Sequence, residues 1–200
     1  MFRKFGIALV VLSLAGCEQP VSTASHADPL IEGELDQKSY LKAAVVQVAA
    51  TNQLMADSAL TEAQLNTQIS QLEQLLTLAD QLTLDKALLQ EAELMSSLGS
   101  LYARKALFYT NNAQQAGSFS ARGFRYLDKA VSKYPDNVTA RLNRGIVSAR
   151  VPEFMNKAAI ARSDLEFVLQ SSEFTKFNPG LQQSVKQMLA EVSSRLATDV

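Results

Sequence analysis

The chain has 200 residues, which suits one domain preceded by a leader. Hydrophobic residues make up 47% of it, enough for a buried core, and its eight glycines and five prolines are few for an all-β chain with many tight turns. Leu, Ala and Gln are abundant and favour helices, so we expect an all-α fold. The formal net charge of −1 indicates no class of partner.

Charge is nevertheless distributed unevenly along the chain. Residues 17–100 carry three Lys or Arg against twelve Asp or Glu, whereas residues 101–162 carry eleven against three. Such a split either steers an acidic partner to the basic segment or lets the two segments pair with each other. The sequence leaves both alternatives open.

The first 16 residues have the parts of an export signal. Two basic residues are followed by an apolar run over residues 5–14, which is too short to span a bilayer. Small residues then precede Cys17, the only cysteine. This order is similar to the lipobox of bacterial lipoproteins, and the resemblance implies a signal peptide over 1–16 and lipidation of Cys17, with palmitate among the acyl chains. An ordinary signal peptide with an incidental cysteine is the alternative.

Residues 17–36 are rich in Pro, Ser, Ala and acidic residues, and this composition predicts a flexible tether. The only histidine, His26, lies in the tether without the partners that a metal ligand or general base needs. Glu18 stands where lipoproteins retained in the inner membrane often have Asp. The resemblance therefore implies an anchor in the inner leaflet of the outer membrane, facing the periplasm.

A helical domain is predicted over residues 37–200. Its first helix is expected over 37–57, and Thr61 with Gln64 forms a capping box for the second. A third helix is expected to begin near residue 83 or 85, and the polar segment 111–117 is expected to end it as a loop. Apolar residues spaced by seven on the second helix fit either core packing or a self-associating hairpin, so a homo-oligomer stays possible.

A helix, a short turn and a second helix are predicted around Pro135. Pro135 disfavours α geometry at the preceding residue, and Asn137 is a favourable N-cap for the next helix. Two helices joined by so short a turn are expected to pack antiparallel. Near the C-terminus, Asn178 followed by Pro179 predicts the start of a final helix over about 179–197 with a polar outer face.

The helix pairs resemble the tetratricopeptide repeat (TPR). Three sets of residues match the repeat's small and apolar positions: Leu98, Gly99 and Tyr102; Gly123, Leu127, Ala130 and Pro135; and Ala140 and Gly145. The resemblance covers about residues 91–172 and implies antiparallel hairpins stacked as a short solenoid of about seven helices. An unrelated array of helical hairpins is the alternative, since Arg141 and Arg144 occupy positions that are usually apolar.

In the TPR family the first helix of each pair lines a concave groove that binds peptides. Asn143 matches a groove position, Arg150 is expected to face the same way, and Leu142 replaces the usual neighbouring lysine. A basic patch for an anionic lipid, an acidic protein or the cell wall is a second possibility. Its candidate residues are Arg122, Arg125, Arg141 and Arg144.

The predicted helical domain contains no histidine or cysteine and no glycine-rich phosphate loop, so we predict no catalytic residue, metal or cofactor. The first functional hypothesis is a non-catalytic, membrane-anchored periplasmic adaptor that binds a protein or peptide. The second is an accessory ligand-binding subunit of a transporter that holds a small acidic solute or lipid. An enzyme acting on the envelope is a third hypothesis. Nucleic acid is not expected as a partner of an exported, membrane-tethered chain.

Overall fold

A computed structural model describes residues 37–82 and 90–198. These residues form seven α-helices, three short 3₁₀ turns and no β-strand, which confirms the all-α prediction. The helices are α1 (Gln37–Ala56), α2 (Glu62–Gln81), α3 (Glu91–Ala106), α4 (Ala113–Lys133), α5 (Val138–Arg150), α6 (Ala158–Gln170) and α7 (Pro179–Thr198). The predicted signal peptide 1–16 and tether 17–36, with Cys17 and His26, lie outside the described residues.

Several predicted helix ends are confirmed. Thr61 and Gln64 form the capping box of α2, in which the Thr61 hydroxyl accepts from the Gln64 amide and the Gln64 side chain accepts from the Thr61 amide. The Asn137 side chain accepts from the amide of Ala140 at 2.8 Å and caps α5. The Asn178 side chain accepts from the first turn of α7 in the same way. Each cap satisfies a helix amide that has no partner within its helix.

The predicted start of the third helix, near residue 83 or 85, lies outside the described residues. Within them α3 begins at Glu91, after Gln90, whose φ of 53° is a left-handed conformation that interrupts an α-helix. The predicted loop over residues 111–117 is wrong. The helix α4 begins at Ala113, capped by Asn112, so that Gly117 lies inside the helix and not in a loop. Asn112 thus caps a helix here, although the polar, glycine-containing composition of residues 111–117 suggested a loop.

Consecutive helices pack antiparallel, and α3 and α4 approach most closely. Their contact runs from Glu91 with Lys133 at one end to Lys105 with Phe119 at the other. At the crossing, a Cβ atom on Gly123 would lie 2.8 Å from the carbonyl oxygen of Gly99. Only a residue without a side chain permits this approach of the two backbones.

The odd-numbered helices α1, α3, α5 and α7 contact one another in that order. The helices α3 and α5 run in the same direction, since Glu93 accepts from the Asn137 side chain and Ser96 accepts from the Asn143 side chain further along both helices. Side chains from all four odd-numbered helices can therefore face one common surface.

The core has two main clusters. Tyr40, Leu65, Leu72 and Leu98 belong to the first, which joins α1, α2 and α3, and Leu165, Val168, Phe174 and Val185 belong to the second, which joins α5, α6 and α7. None of the described helices combines the length and the apolar character needed to cross a bilayer.

Candidate functional site

The candidate site is a groove of about 680 Å³ lined by the four odd-numbered helices. Much of its lining is apolar, and Arg104 of α3 and Arg150 at the end of α5 supply its cations. Among the described residues that line it there is no Asp or Glu. Apolar lining residues include Met55, Leu107, Leu142, Ile146, Val147 and Leu181, and polar ones include Thr51, Ser97, Ser100 and Asn143. The groove is thus apolar with a positive charge.

The guanidinium group of Arg104 is the most unusual feature of the groove. Its Nε atom is buried and has no hydrogen-bond partner, and within residues 37–82 and 90–198 its side chain forms no ion pair. A buried polar atom without a partner costs about 1–3 kcal/mol. Arg104 is therefore a cation placed against the groove without a counter-ion from the described chain.

Ser97 lies two helical turns before Arg104 on the same face of α3. It is 1% exposed, and its Oγ atom has no hydrogen-bond partner among the described residues. The neighbouring Ser100 differs, because its hydroxyl donates to the carbonyl oxygen of Ser96 at 3.0 Å within the helix. The α3 wall of the groove thus carries two polar groups, those of Ser97 and Arg104, whose hydrogen-bonding capacity is unused.

Asn143 and Arg150 both line the groove. The amide nitrogen of Asn143 donates to Ser96 Oγ at 2.9 Å, so Asn143 also joins α5 to α3. The side chain of Arg150 is exposed at the end of α5. Their placement is suited to contact with a bound segment, and their role in binding stays a prediction.

Arg141 and Arg144 point toward α6, where both bind Asp164. Arg144 Nε lies 2.7 Å from Asp164 Oδ2, and an Arg141 nitrogen lies 3.0 Å from Asp164 Oδ1. Arg144 also contacts Asp128 of α4 at 3.2 Å. Burial alone would lower the pKa of Arg144, but its hydrogen bonds and ion pairs with these carboxylates outweigh burial and raise that pKa. These arginines hold three helices together.

The other two arginines of the predicted basic patch lie on α4. Arg122 binds Glu73 of α2 at 2.7 Å and stacks its guanidinium over the ring of Tyr102, whereas Arg125 is exposed. The pair Arg122–Glu73, together with Lys133–Glu91, joins the basic segment of the sequence to the acidic segment. At these positions the two segments pair with each other. The four arginines therefore do not converge on one surface cluster.

Sequence reasoning missed Arg104 and Ser97. A usable signal was present, because Ser97, Ser100 and Arg104 are spaced by three and four and must share a helical face. The sequence does not show that these groups lack intramolecular partners, since this depends on which side chains the other helices bring nearby. Asp164 and Glu73 could have neutralised any of several arginines.

Comparisons with protein-family models, with curated proteins and with solved structures give no match to this chain. Within the described residues, no three His, Cys, Asp or Glu side chains cluster in a way that could hold a metal ion. The groove is therefore the feature of this chain that points to a function.

Proposed function

We propose that this chain is a lipid-anchored, non-catalytic adaptor of the bacterial envelope that binds a segment of a partner protein in its groove. One observation carries the proposal: four helices that are distant in sequence contribute side chains to one groove, and Asn143 and Arg150 both line it. A groove that follows several parallel helices is a suitable surface for an extended or helical peptide.

We infer further that the helices form a short TPR-like solenoid. The antiparallel pairing of consecutive helices and the order of contacts among α1, α3, α5 and α7 support this inference. Glycines at helix crossings support it as well: Gly99 and Gly123 face each other, and a Cβ atom on Gly145 would lie 3.0 Å from a Leu165 methyl group. In a solenoid of helix pairs the first helices line one concave side, and the groove is lined by α1, α3, α5 and α7.

The anchor is proposed from the sequence around Cys17 and is tested separately from the groove. We expect cells grown with a labelled palmitate analogue to label the wild-type chain but not Cys17→Ser. We also expect the wild-type chain to fractionate with the outer membrane and the variant to be released from it. Labelling that persists in Cys17→Ser, or a wild-type chain free of membrane, would refute the anchor.

Crosslinking in cells followed by mass spectrometry tests the groove. The double variant Asn143→Ala/Arg150→Glu removes an amide and reverses a charge within the groove, so we expect it to lose the partners that the wild-type chain captures. Arg125→Glu makes the same charge reversal on an exposed residue outside the groove lining and should retain them. Identical partner sets for all three proteins would refute the assignment of the groove.

A second candidate function is an accessory subunit that holds a small acidic solute or a lipid. The volume of the groove, about 680 Å³, favours it because small-ligand sites commonly measure about 300–1,000 Å³. Native mass spectrometry of the protein purified from cells distinguishes the two functions. A stoichiometric small molecule that Asn143→Ala/Arg150→Glu loses would favour the ligand-binding subunit.

A further inference from the structure

We propose that the groove recognises an acidic peptide segment in which carboxylate side chains alternate with apolar ones, with one carboxylate bound by Arg104. This proposal rests on the proposed function and adds the chemical class of the partner segment. It follows from the charge of the groove and from its polar and apolar lining.

Charge favours an acidic occupant. Other partly buried arginines have acceptors within the described chain: Arg141 and Arg144 bind the carboxylate of Asp164, and Arg195 donates to the carbonyl oxygen of Ala149. Arg104 and Arg150 line the groove with no described Asp or Glu beside them, and Arg104 has an unsatisfied buried Nε atom. A guanidinium group binds a carboxylate through paired hydrogen bonds. A carboxylate from outside the described chain would supply the counter-ion that Arg104 lacks.

Polar groups of the groove favour a peptide over a simple fatty acid. The half-buried residues Thr139 and Asn143 of α5 and Ser184 of α7 line the groove together with Arg150. Hydroxyl and amide groups can donate to a peptide carbonyl or accept from a peptide amide. A fatty acid offers hydrogen-bonding atoms only at its carboxylate, whereas a peptide offers them along its whole backbone.

The lining between and around these groups explains the apolar residues of the proposed segment. Leu107, Ile146 and Leu181 come from three different helices and all line the groove. Their burial under a bound segment would contribute about 25 cal/mol for each Å² of apolar surface removed from water. A segment that carried acidic residues alone would leave this surface uncovered.

A random peptide display library tests the proposal with the full-length chain purified from cells. Displayed 12-residue peptides are fused to a carrier through their C-terminal ends, so only acidic side chains offer carboxylates. We expect selected peptides to be rich in Asp and Glu interleaved with apolar residues. Replacing one key Asp by Asn should weaken binding about tenfold, as expected for the loss of one charge-assisted hydrogen bond.

Variants of the chain identify the residue responsible. Arg104→Gln should bind the acidic peptide and its amide counterpart equally, while Arg104→Lys should keep part of the preference because it keeps the charge. Lys129→Gln removes one positive charge at an exposed residue that lies outside both the groove lining and the predicted basic patch, and it should behave as wild type. Circular dichroism of each variant verifies its helical content before binding is compared.

The outcomes separate this inference from the proposed function. Selection of neutral or basic peptides that Asn143→Ala/Arg150→Glu fails to bind would overturn acidic recognition but retain the peptide groove. Selection of no peptide, or tight binding of dodecanoate without peptide binding, would overturn both. Acidic peptides that bind Arg104→Gln as tightly as wild type would overturn the role of Arg104.

Discussion

The Nε atom of Arg144 donates to Asp164 Oδ2 across 2.7 Å, and Asp164 itself has no exposed surface. Arg141 binds the same carboxylate from one turn earlier on α5. The two arginines thus form an ion-paired cluster between α5 and α6. A buried carboxylate is tolerated only where such partners surround it.

Replacing Asp164 should destabilise the fold strongly. Asp164→Ala leaves two partly buried guanidinium groups without their carboxylate, and we expect the free energy of unfolding to fall by roughly 3 kcal/mol. Urea unfolding followed by circular dichroism measures the change. Glu166→Ala, which breaks the exposed pair with Arg162, is the control and should cost about 0.5 kcal/mol. Equal effects of the two variants would refute the role assigned to Asp164.

Two glycines of α4 should respond to alanine with opposite signs. A Cβ atom on Gly123 would lie 2.8 Å from Gly99 O and 2.9 Å from Ala103 N, both backbone atoms that cannot move aside, so Gly123→Ala should destabilise by about 1–3 kcal/mol. Nothing lies within 4 Å of a Cβ atom on Gly117, which sits inside the same helix. Gly117→Ala should therefore stabilise by about 0.5–1 kcal/mol.

Thermal and urea unfolding of the two variants, each compared with wild type, provide this test. A Gly123→Ala protein as stable as wild type would show that α3 and α4 do not approach as closely as described. A destabilised Gly117→Ala protein would contradict the placement of that residue in an exposed helical turn.

The raised pKa of Tyr40 predicts that the fold loses stability at alkaline pH. Its hydroxyl donates to the carbonyl oxygen of Leu75 at 3.3 Å, and burial, together with the negative charges of Glu91 and Asp80, raises the pKa of Tyr40 to about 12. In the unfolded chain the pKa is near its usual value of about 10. As the pH rises, the unfolded state therefore releases the proton first. The stability that the protonated Tyr40 contributes to the fold is complete below pH 10 and is lost as the pH rises through 12.

Tyr40→Phe isolates this effect. We expect the variant to lose about 1 kcal/mol at pH 7, where the hydrogen bond is missing, and to show a shallower fall in unfolding free energy between pH 10 and pH 12 than wild type. Urea titrations at pH 7, 10 and 11 compare the two slopes. Identical slopes would show that Tyr40 does not keep its proton preferentially in the folded state.

Local sequence signals predicted the elements of this fold well. Thr61 with Gln64 and Asn137 after Pro135 determine helix starts through neighbouring atoms, and the structure has these caps where the sequence placed them. The break at Gln90, whose left-handed conformation directly precedes α3, was not predicted because no glycine signals it. Gly117 was wrongly predicted to lie in a loop, because a helix tolerates one glycine when an N-cap such as Asn112 precedes it.

The candidate site was only partly predictable for a different reason. The TPR resemblance implied a groove position for Asn143, and the spacing implied that Arg150 faces the same way. Whether an arginine is available to a partner depends on carboxylates that are distant in sequence, as Asp164 is from Arg141 and Arg144. Arg104 remains available because no such carboxylate of the described chain reaches it.

Photo-crosslinking in living cells tests whether the groove binds a segment of a partner protein. A photoreactive amino acid is placed at Ile146, which lines the groove, and in a second strain at Arg125, which is exposed outside it. We predict a discrete protein adduct from position 146, with the crosslink mapped to an acidic segment of the partner, and no such adduct from position 125. The absence of an adduct at 146, or the same adduct from both positions, would contradict the account.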